Sequence, residues 1–150
     1  MNLKAIVTAI GISLASLSMA HAQTRDLTPP DLSGLPPAVQ TAINNAVAIC
    51  VAEPLDCSDA FETAMEVVDR QIGRFSEASD QAVGLFAVAI VVAGIDLPEI
   101  DRGRLAGVVF RMTNRVSSAS APQWDAILNL ANALDTGTAR MIVAQIASPS

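Results

Sequence analysis

The chain has 150 residues and a net charge of −6, because 15 acidic residues outnumber 9 basic ones. A surface this acidic repels the phosphates of nucleic acid, so we predict no nucleic-acid partner. Hydrophobic residues make up 51% of the chain and aromatic residues only 3%. The core is therefore expected to consist of small aliphatic side chains from closely packed elements.

Residues 1–22 have the pattern of a cleavable secretory signal peptide. Lys4 gives a positive start, and an uncharged apolar stretch runs from there to Ala20. Small residues, Ala20 and Ala22, stand at the positions that signal peptidase requires, so cleavage is expected between Ala22 and Gln23. The alternative is an uncleaved anchor helix, but the apolar stretch is shorter than the ~20 residues of a membrane span. We predict a periplasmic or secreted protein with no stable membrane span in its mature form.

Cleavage would leave a chain with eight arginines and fifteen acids, a net charge of −7. His21 and Lys4 are the only histidine and lysine, and the chain has no tyrosine. A mature protein that begins at Gln23 therefore has no histidine base, Ser-His-Asp triad, Schiff-base lysine or histidine metal site. We predict that the protein is not an enzyme and uses no cofactor or metal. A carboxylate-based enzyme or metal-binding protein remains as a weaker alternative.

Cys50 and Cys57 are the only cysteines. In an exported protein, two cysteines this close together usually form a disulfide bond. Their spacing fits no zinc signature, and a redox-active pair would usually be C-x-x-C at the start of a helix. We predict a structural disulfide.

Residues 23–37 contain four prolines and a glycine. This composition predicts an extended arm, which serves as a spacer or docks on another protein in extended form. Residues 38–150 are predicted to form one domain. No strand-like alternation persists in them, so the fold class is all-α: a compact bundle of about five to six short helices.

Two helices are predicted to flank the cysteines. The first covers 38–52, where apolar residues recur at helical spacing, and the second runs from about residue 58 to Gly73. Asp59 and Glu62 have the spacing of a capping box at the start of the second helix. The disulfide would then clamp a helical hairpin.

The third helix is predicted at about 77–93, and 82–95 contains no charged residue. A helix that is apolar on every side is typical of the centre of a bundle. The alternative is a membrane-active or apolar-ligand-binding helix, although this run would span only about 21 Å of a hydrocarbon core of about 30 Å.

The fourth helix is predicted to start at a capping box formed by Asp96 and Glu99 and to end near Ser117. Gly103 and Gly107 within it predict the close approach of another helix, because glycine lowers helix stability without such packing. A fifth helix follows from about 120 to 134 and a sixth from about 138 to 147. Trp124 is expected in the core more readily than as an exposed anchor.

Three arginines of the fourth helix, Arg104, Arg111 and Arg115, lie on one stripe. In an acidic protein they are a candidate site for an acidic protein partner, a phosphate or an anionic lipid headgroup. The alternative is structural, because the second helix carries an acidic stripe that would pair with them. The acids of that stripe are Asp59, Glu62, Glu66 and Asp69.

These patterns favour a non-enzymatic interaction module of the cell envelope, which binds a protein partner through the arginine stripe, the arm or both. A membrane-active or apolar-ligand-binding protein built around 82–95 is the alternative, and it predicts a cavity beside that helix or binding to liposomes. The carboxylate enzyme requires two acids that converge in one cleft.

Overall fold

A computed structural model of the protein describes residues 28–139, and they form a bundle of five α-helices with no β-strand. The helices are α1 (Pro37–Ala52), α2 (Cys57–Gln71), α3 (Glu77–Gly94), α4 (Glu99–Met112) and α5 (Pro122–Thr136), with a 3₁₀ turn at Thr113–Arg115. The predicted all-α fold class is confirmed. The predicted signal peptide and nearly all of the predicted sixth helix lie outside the described residues.

Helices α1 and α2 form a hairpin that the disulfide bond closes. Cys50 and Cys57 are bonded and have no exposed surface, which confirms the predicted clamp. The capping box predicted at Asp59 is wrong. Helix α2 begins two residues earlier, and Asp56 precedes it without a side-chain cap. Asp59 therefore lies in the first turn, where its charge interacts favourably with the helix dipole.

The segment before α1 contributes to the core in its described part, which starts at residue 28. Leu32 and Leu35 are buried, and the Leu35 N–H donates to the Leu32 carbonyl across a turn. Asp31 accepts a hydrogen bond from the Ser33 N–H at 2.9 Å. This backbone bond and a second one from the Ser33 side chain hold the pKa of Asp31 below its usual value. The end of the predicted extended arm is therefore folded against the bundle, because burial of the Leu32 and Leu35 side chains is energetically favourable.

Helix α3 is the central helix and contacts each of the other four. It begins at a capping box of Ser76 and Ser79, and Phe86 packs against Phe61 of α2 with ring centroids 5.7 Å apart. Its remaining face is half-buried. Among the described residues, α3 is the one helix whose length and composition would suit a membrane span, and 56% of it is buried within the bundle.

Helix α4 differs from its prediction at both ends. Pro98 precedes it without a side-chain cap, so the capping box predicted at Asp96 and Glu99 is wrong. The helix ends at Met112 in a 3₁₀ turn, and Ser117 lies beyond it. The loop that follows is held by Asp80 of α3, a buried residue whose carboxylate accepts from both the N–H and the hydroxyl of Ser117.

Helix α5 packs along α4 and ends at Gly137 in a left-handed conformation. Arg102 of α4 joins the two helices, because its guanidinium donates to the carbonyls of Leu134 at 3.3 Å and Leu97 at 3.0 Å. Trp124 in the first turn of α5 is half-buried and packs against the core. Arg102 thereby ties the loop before α4 to the last turn of α5.

Candidate interaction surfaces

The arginine stripe is divided between two environments. Arg115 lies between α4 and α2, where it forms ion pairs with Glu62 and with Asp69, the latter at 3.3 Å. Only 18% of its side chain is exposed. Arg74 also pairs with Asp69, at 3.2 Å. Arg115 is therefore part of the contact between two helices.

Arg104 and Arg111 do not pair with the acids of α2. Arg104 forms an ion pair at 2.7 Å with Asp101, one turn earlier on the same helix, and 40% of its side chain is exposed. Arg111 is exposed and donates to the Ser58 hydroxyl at 2.7 Å. Within the described residues, no carboxylate neutralises Arg111. These two guanidinium groups remain accessible to a binding partner.

The four acids of α2 are divided in the same way. Glu62 and Asp69 pair with Arg115, whereas Asp59 and Glu66 are exposed and form no ion pair within residues 28–139. Asp59 lies on the side of α2 that faces α1, because it lines a groove between these two helices. The acidic stripe therefore serves two different surfaces.

Two large apolar side chains lie beside the accessible arginines. Ile100 is 65% exposed and Phe110 is 57% exposed. With Arg104, Gly107 and Arg111 they occupy a sector of about 120° on the side of α4 that faces away from the core. We call these five residues the α4 face. The pattern was available in the sequence, because Ile100 and Phe110 lie opposite the buried stripe of α4.

The glycines of α4 border a groove and do not form a tight helix contact. A Cβ at Gly107 would have no neighbour within 4 Å, and one at Gly103 would meet Asp135 at an ordinary 3.4 Å. The predicted close approach of another helix is therefore absent at Gly107, whereas at Gly103 the Asp135 side chain of α5 lies at contact distance. The groove measures about 490 Å³ and is lined by Gly103, Ala106, Gly107, Phe110, Leu128, Ala131, Asn132 and Asp135.

A second and larger groove, of about 1110 Å³, runs between α1 and α2. We call it the hairpin groove. Alanines form much of its lining, together with Ile49 and Val67. Two carboxylates, Asp56 and Asp59, lie near the disulfide, and Arg70 lies near the other end. No residue of α3 lines either groove.

Asp56 and Asp59 both line the hairpin groove, so two acids share one cleft as the carboxylate alternative requires. Across residues 28–139, no three His, Cys, Asp or Glu side chains are grouped as a metal site would require. The same residues contain no buried side-chain nitrogen or oxygen without a hydrogen-bond partner. The accessible features are apolar side chains, three arginines (Arg70, Arg104 and Arg111) and unpaired carboxylates, and of these the aromatic residues and arginines are enriched at interfaces.

Comparison of the chain with protein-family models, with curated proteins and with solved structures gave no match.

Proposed function

We propose that this protein is an exported, non-enzymatic binding module of the cell envelope, which contacts a protein partner through the α4 face. The observation that carries this proposal is the combination of exposed Ile100 and Phe110 with Arg111, whose charge no described carboxylate neutralises. Aromatic residues and arginine are enriched at the centres of protein interfaces. A single aliphatic residue on a surface has no such meaning, but these residues share one side of α4.

The chemistry of the α4 face defines the partner that would fit it. The open groove beside Gly107, about 490 Å³ and lined in part by Phe110 and Leu128, has the volume and apolar lining to take an apolar side chain. A carboxylate of the partner would reach the guanidinium of Arg111, for which a bidentate hydrogen bond is the favoured geometry. We therefore expect a partner surface with an apolar centre and at least one acidic residue at its edge.

Export rests on the signal-peptide pattern. We expect the native protein to begin at Gln23, which N-terminal sequencing of material purified from its own host would check. A native protein that retains 1–22 would place a membrane anchor before the bundle and contradict this part of the proposal.

Site-specific photo-cross-linking tests the binding surface directly. Position 107 is exposed, has no atom within 4 Å of a Cβ built there, and lies at the centre of the α4 face, so it is a suitable site for a photoreactive phenylalanine analogue. The control places the same group at position 126, an exposed residue of α5 that does not line the groove. After irradiation of living cells, we expect one discrete cross-linked protein from position 107 and none from position 126. Equal adducts at both positions, or no adduct at 107, would contradict the proposal.

A further inference from the structure

The hairpin groove is a surface that the α4 face does not explain. It shares no residue with that face, and at about 1110 Å³ it is more than twice the volume of the groove beside Gly107. Its α1 side extends from Pro37 to Ile49. At 1.5 Å per residue this distance is about 18 Å, which equals roughly three turns of a helix.

The floor of the hairpin groove consists of small side chains. The alanines that line the groove are Ala38, Ala42, Ala46, Ala60 and Ala64, and Ile49 and Val67 extend the apolar surface. Alanines leave space between two helices, so larger apolar side chains from outside would fill it. Polar residues along the rim, such as Thr41, Asn45 and Thr63, offer hydrogen bonds to a bound backbone or side chain.

Charges of opposite sign lie at the two ends of the groove. Asp56 and Asp59 are exposed near the disulfide, and Arg70 is exposed near the start of α1. None of these three residues forms an ion pair within the part of the chain that the structure describes. A ligand that spans the groove would therefore meet negative charge at one end and positive charge at the other.

We propose that the hairpin groove binds an amphipathic peptide segment of a partner protein, with a basic side chain over Asp56 and Asp59 and an acidic one beside Arg70. The length of about three helical turns and the two opposite charges favour a peptide over a single-chain lipid, which carries one charged head. Helix-in-groove recognition uses apolar residues at i, i+3, i+4 and i+7 in this way. The disulfide fixes the two walls beforehand, which lowers the conformational cost of binding.

A designed peptide provides the probe. It is a synthetic helical peptide of 14 residues with leucines on one face, glutamates in its first turn and lysines in its last turn, because this order of charges suits the helix dipole. Binding to the ¹⁵N-labelled mature protein is followed by NMR. We expect chemical-shift changes at the amides of Ala42, Ala46 and Ala64. Saturating peptide that leaves these amides unshifted, or that shifts only α3 or α4, would overturn the proposal.

Two charge reversals on α2 separate a specific contact from general attraction to an acidic protein. Asp59→Lys changes the groove, and Glu66→Lys makes the same change of charge at an exposed, unpaired acid that does not line it. We expect Asp59→Lys to weaken binding about fivefold, because the variant loses an exposed ion pair with the peptide. Glu66→Lys should leave the affinity nearly unchanged. Equal weakening by both variants would overturn the proposal. Thermal unfolding of each variant checks that α2 remains folded.

Discussion

At the scale of single residues, Gly94 of α3 and Gly107 of α4 differ in the space that surrounds them. A Cβ at Gly94 would lie 2.6 Å from the end of the Leu105 side chain, which is fully buried. A Cβ at Gly107 would meet nothing. The first glycine therefore permits packing between α3 and α4, whereas the second only leaves the α4 face open.

Alanine substitutions at these positions should have opposite effects on stability. Gly107→Ala should raise the free energy of unfolding by about 0.5–1 kcal/mol, because alanine restricts the unfolded chain and favours helix. Gly94→Ala should lower it by about 1–3 kcal/mol, because the core must shift to admit a methyl group. Urea denaturation measures both values. A destabilised Gly107→Ala protein would show that α5 packs more closely on α4 than the structure has it.

The arginines of α4 also differ as individual residues. Arg115→Ala should lower the free energy of unfolding by about 1 kcal/mol, because it removes a mostly buried side chain and both of its ion pairs, with Glu62 and Asp69. Arg104→Ala is the matched control, and its exposed pair with Asp101 should contribute less than about 0.5 kcal/mol. If chemical denaturation gives the two variants the same loss, Arg115 has no special structural role.

At the scale of elements, the helices were predictable because apolar spacing is a local property of the chain. The spacing of Val39, Ile43 and Ala46, for example, predicted α1 to within one residue of its observed start. The helix starts were less predictable. Asp59 and Asp96 both have capping-box spacing, but neither is the N-cap residue, and α3 uses a Ser76–Ser79 pair in place of an acid. A capping-box pattern in the sequence therefore shows that two residues could cap a helix, but it does not fix where the helix begins.

The contacts between elements could not be predicted from any local pattern. Arg115 reaches Glu62 across 53 residues of sequence, and this depends on which helix lies beside α4. The sequence pattern placed three arginines on one stripe, and two of them reach α2: Arg111 at Ser58, and Arg115 at Glu62 and Asp69. The exposure of Phe110, in contrast, was predictable from the sequence, because Phe110 lies away from the buried stripe of α4.

The disulfide is the element-scale feature with the largest expected effect. Replacing Cys50 and Cys57 together by alanine should lower the free energy of unfolding by about 2–4 kcal/mol, because the unfolded chain regains the freedom of a closed loop. Equilibrium denaturation of this variant beside the oxidised protein measures the loss. Neither cysteine is exposed, so both alanines would remain within the core. If the variant has unchanged stability, the packing of the hairpin alone holds α1 and α2 together.

At the scale of the whole molecule, the bundle places its two candidate surfaces on separate pairs of helices. The hairpin groove belongs to α1 and α2, and the groove beside Gly107 belongs to α4 and α5. Helix α3 lies at the centre and lines neither of them. Within the described residues, the apolar run at 82–95 contributes to the core, and both grooves lie between outer helices.

The central claim is that the protein works through contact at the α4 face, and a matched pair of phenylalanines tests it. Phe110 and Phe75 are 57% and 55% exposed, but only Phe110 belongs to that face. Once the partner cross-linked through position 107 has been identified, its affinity for Phe110→Ser and Phe75→Ser is measured by calorimetry with the purified mature protein. Loss of a buried aromatic contact should weaken binding by Phe110→Ser at least thirtyfold, or about 2 kcal/mol, and Phe75→Ser should bind like the parent protein. Equal affinities for both variants would contradict the account.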